Sequence, residues 1–200
     1  MTGENTGSRS VAMRDIVAFH PTARGSAVVS VSGRADLVER RPEVPGGAGG
    51  GLVFSARPLK PRQRVCVELV RGRRRLRGGP GAPGDGDRRQ VPGSARLGFS
   101  RHDPATVAAT LPPFAVPDLT DCDGFWARVV GAGAGRVTVW LDDDGVARWN
   151  VDGRDRGVLV DGLPVDVPLW LLVDLYGPVT GARLVPPGTN PSMQLVVKRN

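Results

Sequence analysis

The chain has 200 residues, 27 basic and 20 acidic side chains for a formal charge of +7, and 28 glycines with 18 prolines. It contains no run of about 20 apolar residues that would span a bilayer, and its amino terminus has no apolar secretion segment, so a soluble, cytoplasmic protein is expected. Two cysteines (Cys66, Cys122) and two histidines (His20, His102) are too few for a disulfide framework or a structural zinc site, so neither metal nor cofactor is expected.

A chain of this length can bury roughly 70% of its unfolded surface, which supports one domain with a real core. Residues 1–14 are polar and lack periodicity, as in a disordered lead. Short apolar runs then alternate with turn residues, the pattern of an all-β protein. Residues 16–20, 27–31, 52–55 and 65–70 are the first strand candidates. In the last of these, Val65, Val67 and Leu69 share one face while Glu68 takes the other, as a half-buried strand requires. Two glycine-rich segments, 45–51 and 78–86, read as surface loops.

The clearest local signal spans residues 136–153. Asp142-Asp143-Asp144-Gly145 and Asp152-Gly153 punctuate three strands, because Asp and Gly tolerate the positive φ that hairpin turns demand. After a proline-marked loop, residues 168–177 form a near-continuous apolar run whose Gly177-Pro178 stop favours a buried strand. Residues 182–185 and 194–197 complete the strand candidates. Glycine and proline leave few uninterrupted windows long enough for a stable helix, so none is expected, and the many short strands imply an antiparallel β-sandwich. Phe54, Phe99, Trp126, Trp140 and Trp170 are the large side chains expected to close its core.

The positive charge is concentrated. Arg71, Arg73, Arg74, Arg75, Arg77, Arg88 and Arg89 face only Asp85 and Asp87 within residues 71–90, which gives +5 of the total +7. Clustered cations on a loop could bind RNA or phosphoinositide headgroups through counterion release, and this is the second functional reading of the sequence. Catalytic readings are weaker. Ser100, His102 and Asp103 are neighbours in sequence, which does not make a nucleophile, base and orienter in space. Asp142, Asp143 and Asp144 lack the spacing of a calcium loop, and no glycine-rich segment ends in the Lys-Ser/Thr of a phosphate loop. The chain is therefore expected not to be an enzyme.

Five phrases stand in an order that resembles the neuralized homology repeat. Phe19-His20-Pro21 with Gly25 is similar to its opening, and Gly51-Leu52-Val53-Phe54-Ser55-Ala56-Arg57-Pro58-Leu59 resembles its GLVFSxRPL phrase. Arg96-Leu97-Gly98-Phe99-Ser100-Arg101-His102-Asp103-Pro104-Ala105 resembles LRLGFTxHDPA. Leu111-Pro112-Pro113-Phe114, Pro117-Asp118-Leu119 and Gly124-Phe125-Trp126-Ala127 follow the next stretch, and Pro168-Leu169-Trp170 through Tyr176-Gly177 resembles the PLWALVDVYG ending. Two departures stand out: Val91-Pro92-Gly93-Ser94 replaces the usual Trp-Ser-Gly, and Val116 replaces a cysteine.

The resemblance implies a SPRY-like or jelly-roll-like β-sandwich over residues 15–186. A flexible arginine- and glycine-rich insertion is expected at 71–94 and an extension at 187–200, with 194–197 a candidate last strand. It also implies a protein-interaction module that recognises a short segment of a partner, such as a membrane protein's cytoplasmic tail, as a component of a ubiquitin ligase. The cysteines of a RING are missing, so an adaptor rather than a transferase is expected. Loops held by a rigid sandwich are where contacts can vary without disturbing the core, which selects Arg57, Arg101, His102, Asp103 and Asp118 as the protein-binding residues.

Overall fold

The computed structural model describes residues 17–41, 50–71, 95–112, 119–131, 135–176 and 179–186. Among the described residues the chain order is β1 (Phe19–Arg24), β2 (Val28–Val31), β3 (Arg34–Arg40), β4 (Leu52–Ser55), β5 (Val65–Arg71) and β6 (Ala95–Ser100). A helical turn α1 (Pro104–Val107) runs into a 3-10 turn (Ala108–Thr110). Then come β7 (Phe125–Val130), β8 (Arg136–Leu141), β9 (Ala147–Val151), β10 (Arg154–Val160), β11 (Trp170–Leu175) and β12 (Val179–Val185).

These strands make two antiparallel sheets, one of five strands in the order β1-β4-β11-β6-β7 and one of seven in the order β10-β9-β8-β5-β12-β3-β2. The main core lies between them. Val53, Leu97, Phe99, Leu171 and Val173 of the five-stranded sheet share it with Val67, Leu69, Val137, Val139 and Ala182 of the other. Each fully enclosed Leu or Phe there contributes about 1.5–3 kcal/mol of apolar burial.

A second, smaller cluster sits on the opposite face of the five-stranded sheet. Leu52, Phe54, Phe125 and Leu172 pack there beneath Val107, Ala108 and Leu111 of the helical segment. This cover explains why the runs 52–54 and 171–173 do not alternate with polar residues: β4 and β11 are buried on both faces, and period-two patterning disappears when neither face meets water.

The expected meander is present. β8, β9 and β10 pair in sequence, and Asp152 at φ 51° with Gly153 at φ 81° form the left-handed pair of a two-residue hairpin turn. In the preceding hairpin, Asp142 Oδ1 accepts hydrogen bonds from Val146 N at 2.8 Å and Asp144 N at 3.2 Å. The Val146 bond, with help from the Arg148 guanidinium, holds the Asp142 carboxyl below the usual carboxylate range.

Three expectations need correction. A short helix does form: Asp103 caps it, its side chain accepting from Ala105 N, and Pro104 supplies the preset φ of a first helical residue. Strand β3 had no sequence signal, because its exposed and buried residues do not alternate cleanly. Only one of the three expected tryptophans helps close the core: Trp126 packs against it, whereas Trp140 and Trp170 do not. Phe54 and Phe99 are fully buried, whereas Trp126, Trp140 and Trp170 are only half-buried. Strand parity places Trp140 and Trp170 on outward faces, and the Arg64 guanidinium covers the Trp140 ring at 4.4 Å. The candidate strand at 194–197 lies outside the described residues.

Candidate functional site

Strand register decides which loops meet. Trp170 at the start of β11 pairs with Ser100 at the end of β6, and Leu171 N donates to Ser55 Oγ at the end of β4. β4 and β6 therefore leave the five-stranded sheet at one end, with β11 between them. Two strand spacings of about 4.8 Å separate these exits by roughly 10 Å.

Each exit is fastened by a buried serine where ladder pairing stops. Ser55 Oγ donates to Arg57 O at 2.8 Å while accepting from Leu171 N at 3.0 Å. Ser100 Oγ lies 3.0 Å from both the amide and the carbonyl of His102. Hydroxyls in this position satisfy backbone groups that would otherwise be buried without partners.

Beyond Ser55, Arg57 is exposed and lines a cavity of about 340 Å³ together with Val17, Ala18, Pro58, Leu59 and Lys60. One wall is drawn in by Ala56 N donating to Ala18 O at 2.7 Å, and the floor by Leu59 N donating to Leu169 O at 2.7 Å.

Beyond Ser100, Arg101 forms an ion pair with Asp123, and its amide donates to Gly124 O at 2.9 Å. The His102 ring sits 5.1 Å from Phe125 with Nε2 2.9 Å from Asp123 O. Gly124 has φ +87°, and a Cβ there would lie 2.6 Å from His102 Nε2; only glycine fits both the conformation and the space. The segment 121–124 is thus clasped to the β6 exit.

Arg57, Arg101, His102 and Asp103 consequently share one end of the sandwich. Asp103 has a structural task there as the cap of α1, its Oδ1 accepting from Ala105 N at 2.9 Å. Asp118 lies outside the described residues. The side chains of Ser100, His102 and Asp103 do not form a relay: the serine meets the histidine backbone, the imidazole meets Asp123, and the carboxylate meets Ala105.

Arg71 is elsewhere. It is exposed at the end of β5, paired with Val179, and β12 starts where β11 finishes. Arg71 therefore lies at the far end of the sandwich, about 17 Å away along β11 at roughly 3.4 Å per residue. Ala95, where β6 begins, pairs with Leu175 at that same far end. Arg73, Arg74, Arg75, Arg77, Arg88 and Arg89 lie outside the described residues.

Sequence reasoning missed Trp170, Lys60, Val17 and Ala18 as residues of this end. Trp170 was legible only as core. Lys60 stands in a Pro58-Leu59-Lys60-Pro61 phrase, a rigid loop signal that carries no information about what it faces. Among the described residues no group of His, Cys, Asp and Glu has the arrangement of a metal site, and no helix is long and apolar enough to cross a membrane.

The family model for Neuralized matches residues 85–186. The human E3 ubiquitin-protein ligase NEURL3 is 33% identical over 88% of this chain and 62% of its own length. Protein neuralized of Drosophila melanogaster is 29% identical over 67% of this chain and 16% of its own. The chain thus spans less than two thirds of either relative. Among solved structures, the Drosophila melanogaster neuralized NHR1 domain superposes with a TM-score of 0.70 at 25% identity, covering 85% of this chain and 98% of that one. The TRIM65 PSpry domain, at 13% identity and a TM-score of 0.53 over 85% of this chain and 92% of that one, shares the fold. With the family model covering half of its length and the same sandwich in the neuralized NHR1 domain, the chain belongs to the Neuralized family.

Proposed function

We propose that this chain is a non-enzymatic protein-interaction module that recruits a partner for ubiquitin ligation. The partner would present a short segment, such as a membrane protein's cytoplasmic tail, to the sandwich end formed by the β4 and β6 exits. The observation that carries this reading is the placement of Arg57, Arg101 and His102 on two fixed strand exits flanking the half-buried Trp170. A half-buried tryptophan on the strand between two arginine-bearing exits supplies the residue types that dominate binding energy in protein interfaces. Relatives named as ubiquitin ligases support the recruiting role. The transfer step would belong to another part of the machinery.

The test is selection of binding peptides from a displayed library of cytoplasmic-tail segments, followed by affinity measurement with Trp170→Ala and Arg101→Glu. Both variants should weaken binding while the folded chain persists. Undiminished binding by both would move the interface away from this end.

A further inference from the structure

The two exits differ in their electrostatics, and the difference specifies what each can receive. The Arg101 guanidinium is already paired with Asp123, just as Arg62 is paired with Asp143. Arg57 takes part in no ion pair among the described residues. Its backbone is held in place, because its carbonyl accepts from Ser55 Oγ and the loop behind it is tied to Leu169. Beside Arg57 the cavity is lined, among the described residues, by a second cation, Lys60, the neutral Gln63 and apolar walls from Val17, Ala18, Pro58 and Leu59, with no acidic side chain.

We propose that this cavity receives an acidic side chain of the docked segment, with an aliphatic neighbour seated against Val17, Ala18 and Leu59. The inference rests on the docking reading above and adds a chemical class to it. A volume of about 340 Å³ is at the small end of ligand pockets, of the order of two side chains. Guanidinium groups match carboxylates through two parallel N–H···O bonds. Fixing the backbone that carries Arg57 before the partner arrives removes part of the ordering cost of binding. A walled recess suits a peptide side chain better than a membrane surface, which presents its headgroups on a broad plane.

Random peptides displayed on phage are selected on the full chain, and an enriched peptide is measured by fluorescence polarisation against wild type, Arg57→Gln and Arg57→Glu. The selected pool should favour Asp or Glu beside Leu, Ile or Val. Binding should fall about tenfold when the peptide's acid becomes its amide, and equally with Arg57→Gln. A lysine-bearing peptide should regain binding to Arg57→Glu. Thermal melts of both variants confirm folding.

Peptides that bind, compete at Trp170 and ignore Arg57 would overturn this inference and leave the docking site standing. Failure to select any peptide would overturn both. Binding to phosphatidylserine vesicles that depends on Arg57, with no acidic enrichment among peptides, would assign the cavity to a membrane and also overturn the inference.

Discussion

The β4 and β6 exits begin alike and end differently. Both follow a fully buried phenylalanine and a buried serine, Phe54-Ser55 in one and Phe99-Ser100 in the other, and both turn at a serine clasp before a proline. The β6 exit then receives residues 121–124, which arrive with Asp123 and close the charge of Arg101. No such segment reaches Arg57 among the described residues. The lesson is that a local motif fixes where an arginine stands, whereas its freedom to bind is decided by what the rest of the chain brings beside it.

The roots of the two exits can be tested first, where the largest effects lie. Phe99→Ala should cost about 3–5 kcal/mol in denaturant unfolding, because Phe99 fills the main core. Phe54→Ala should fall nearer the lower end, since its cluster on the outer face is smaller. Equal losses would show that the helical cover packs as tightly as the core between the sheets.

Gly124→Ala should cost about 2–3 kcal/mol, combining left-handed backbone strain with displacement of the His102–Asp123 bond. It should raise amide hydrogen exchange at 101–103 and leave 56–59 unchanged. Matching changes at both exits would mean they are coupled through β11.

Ser55→Ala should cost about 1–3 kcal/mol, because it orphans the buried Leu171 amide. Ser100→Ala should cost less, since the bonds it removes stay within one loop. A reversed order in thermal melts would refute the assignment of Ser55 as the clasp between strands.

The smallest stability effects belong to the arginines themselves. Arg57→Ala and Arg101→Ala are expected to change stability by no more than about 0.5 kcal/mol, as exposed side chains do. Their binding effects should differ in salt: contacts through Arg57 should weaken as ionic strength rises more than contacts through the already paired Arg101. Identical salt slopes for the two variants would erase the distinction.

Much of the fold was legible. The two Asp-Gly steps announced the β8–β10 meander, since few residues adopt positive φ cheaply. The run 168–177 announced a buried strand, since only cover on both faces tolerates so little polarity. The ordered phrases pointed to the family and to Arg57, Arg101, His102 and Asp103. What stayed hidden depended on contacts distant in sequence. Trp170 reads as core until register places it between two exits. The neutralisation of Arg101 requires Asp123, 22 residues later, and the Arg57 cavity requires Val17 and Ala18, brought over by the pairing of β1 with β4. The one-turn helix was hidden because a single capped turn leaves no periodicity to detect.

The central place of β11 also governs the order of assembly. The β8–β10 hairpins join near neighbours and can close within microseconds, but Leu171 must find Ser55 across 116 residues. On a ribosome, β4 and β6 emerge early and wait with open edges until nearly the whole domain has been made. Pairing of such high contact order is slow, and open edges invite intermolecular pairing. Expression yield should therefore be more sensitive to substitutions in residues 170–175 than to those in the meander, even where the finished domains are equally stable.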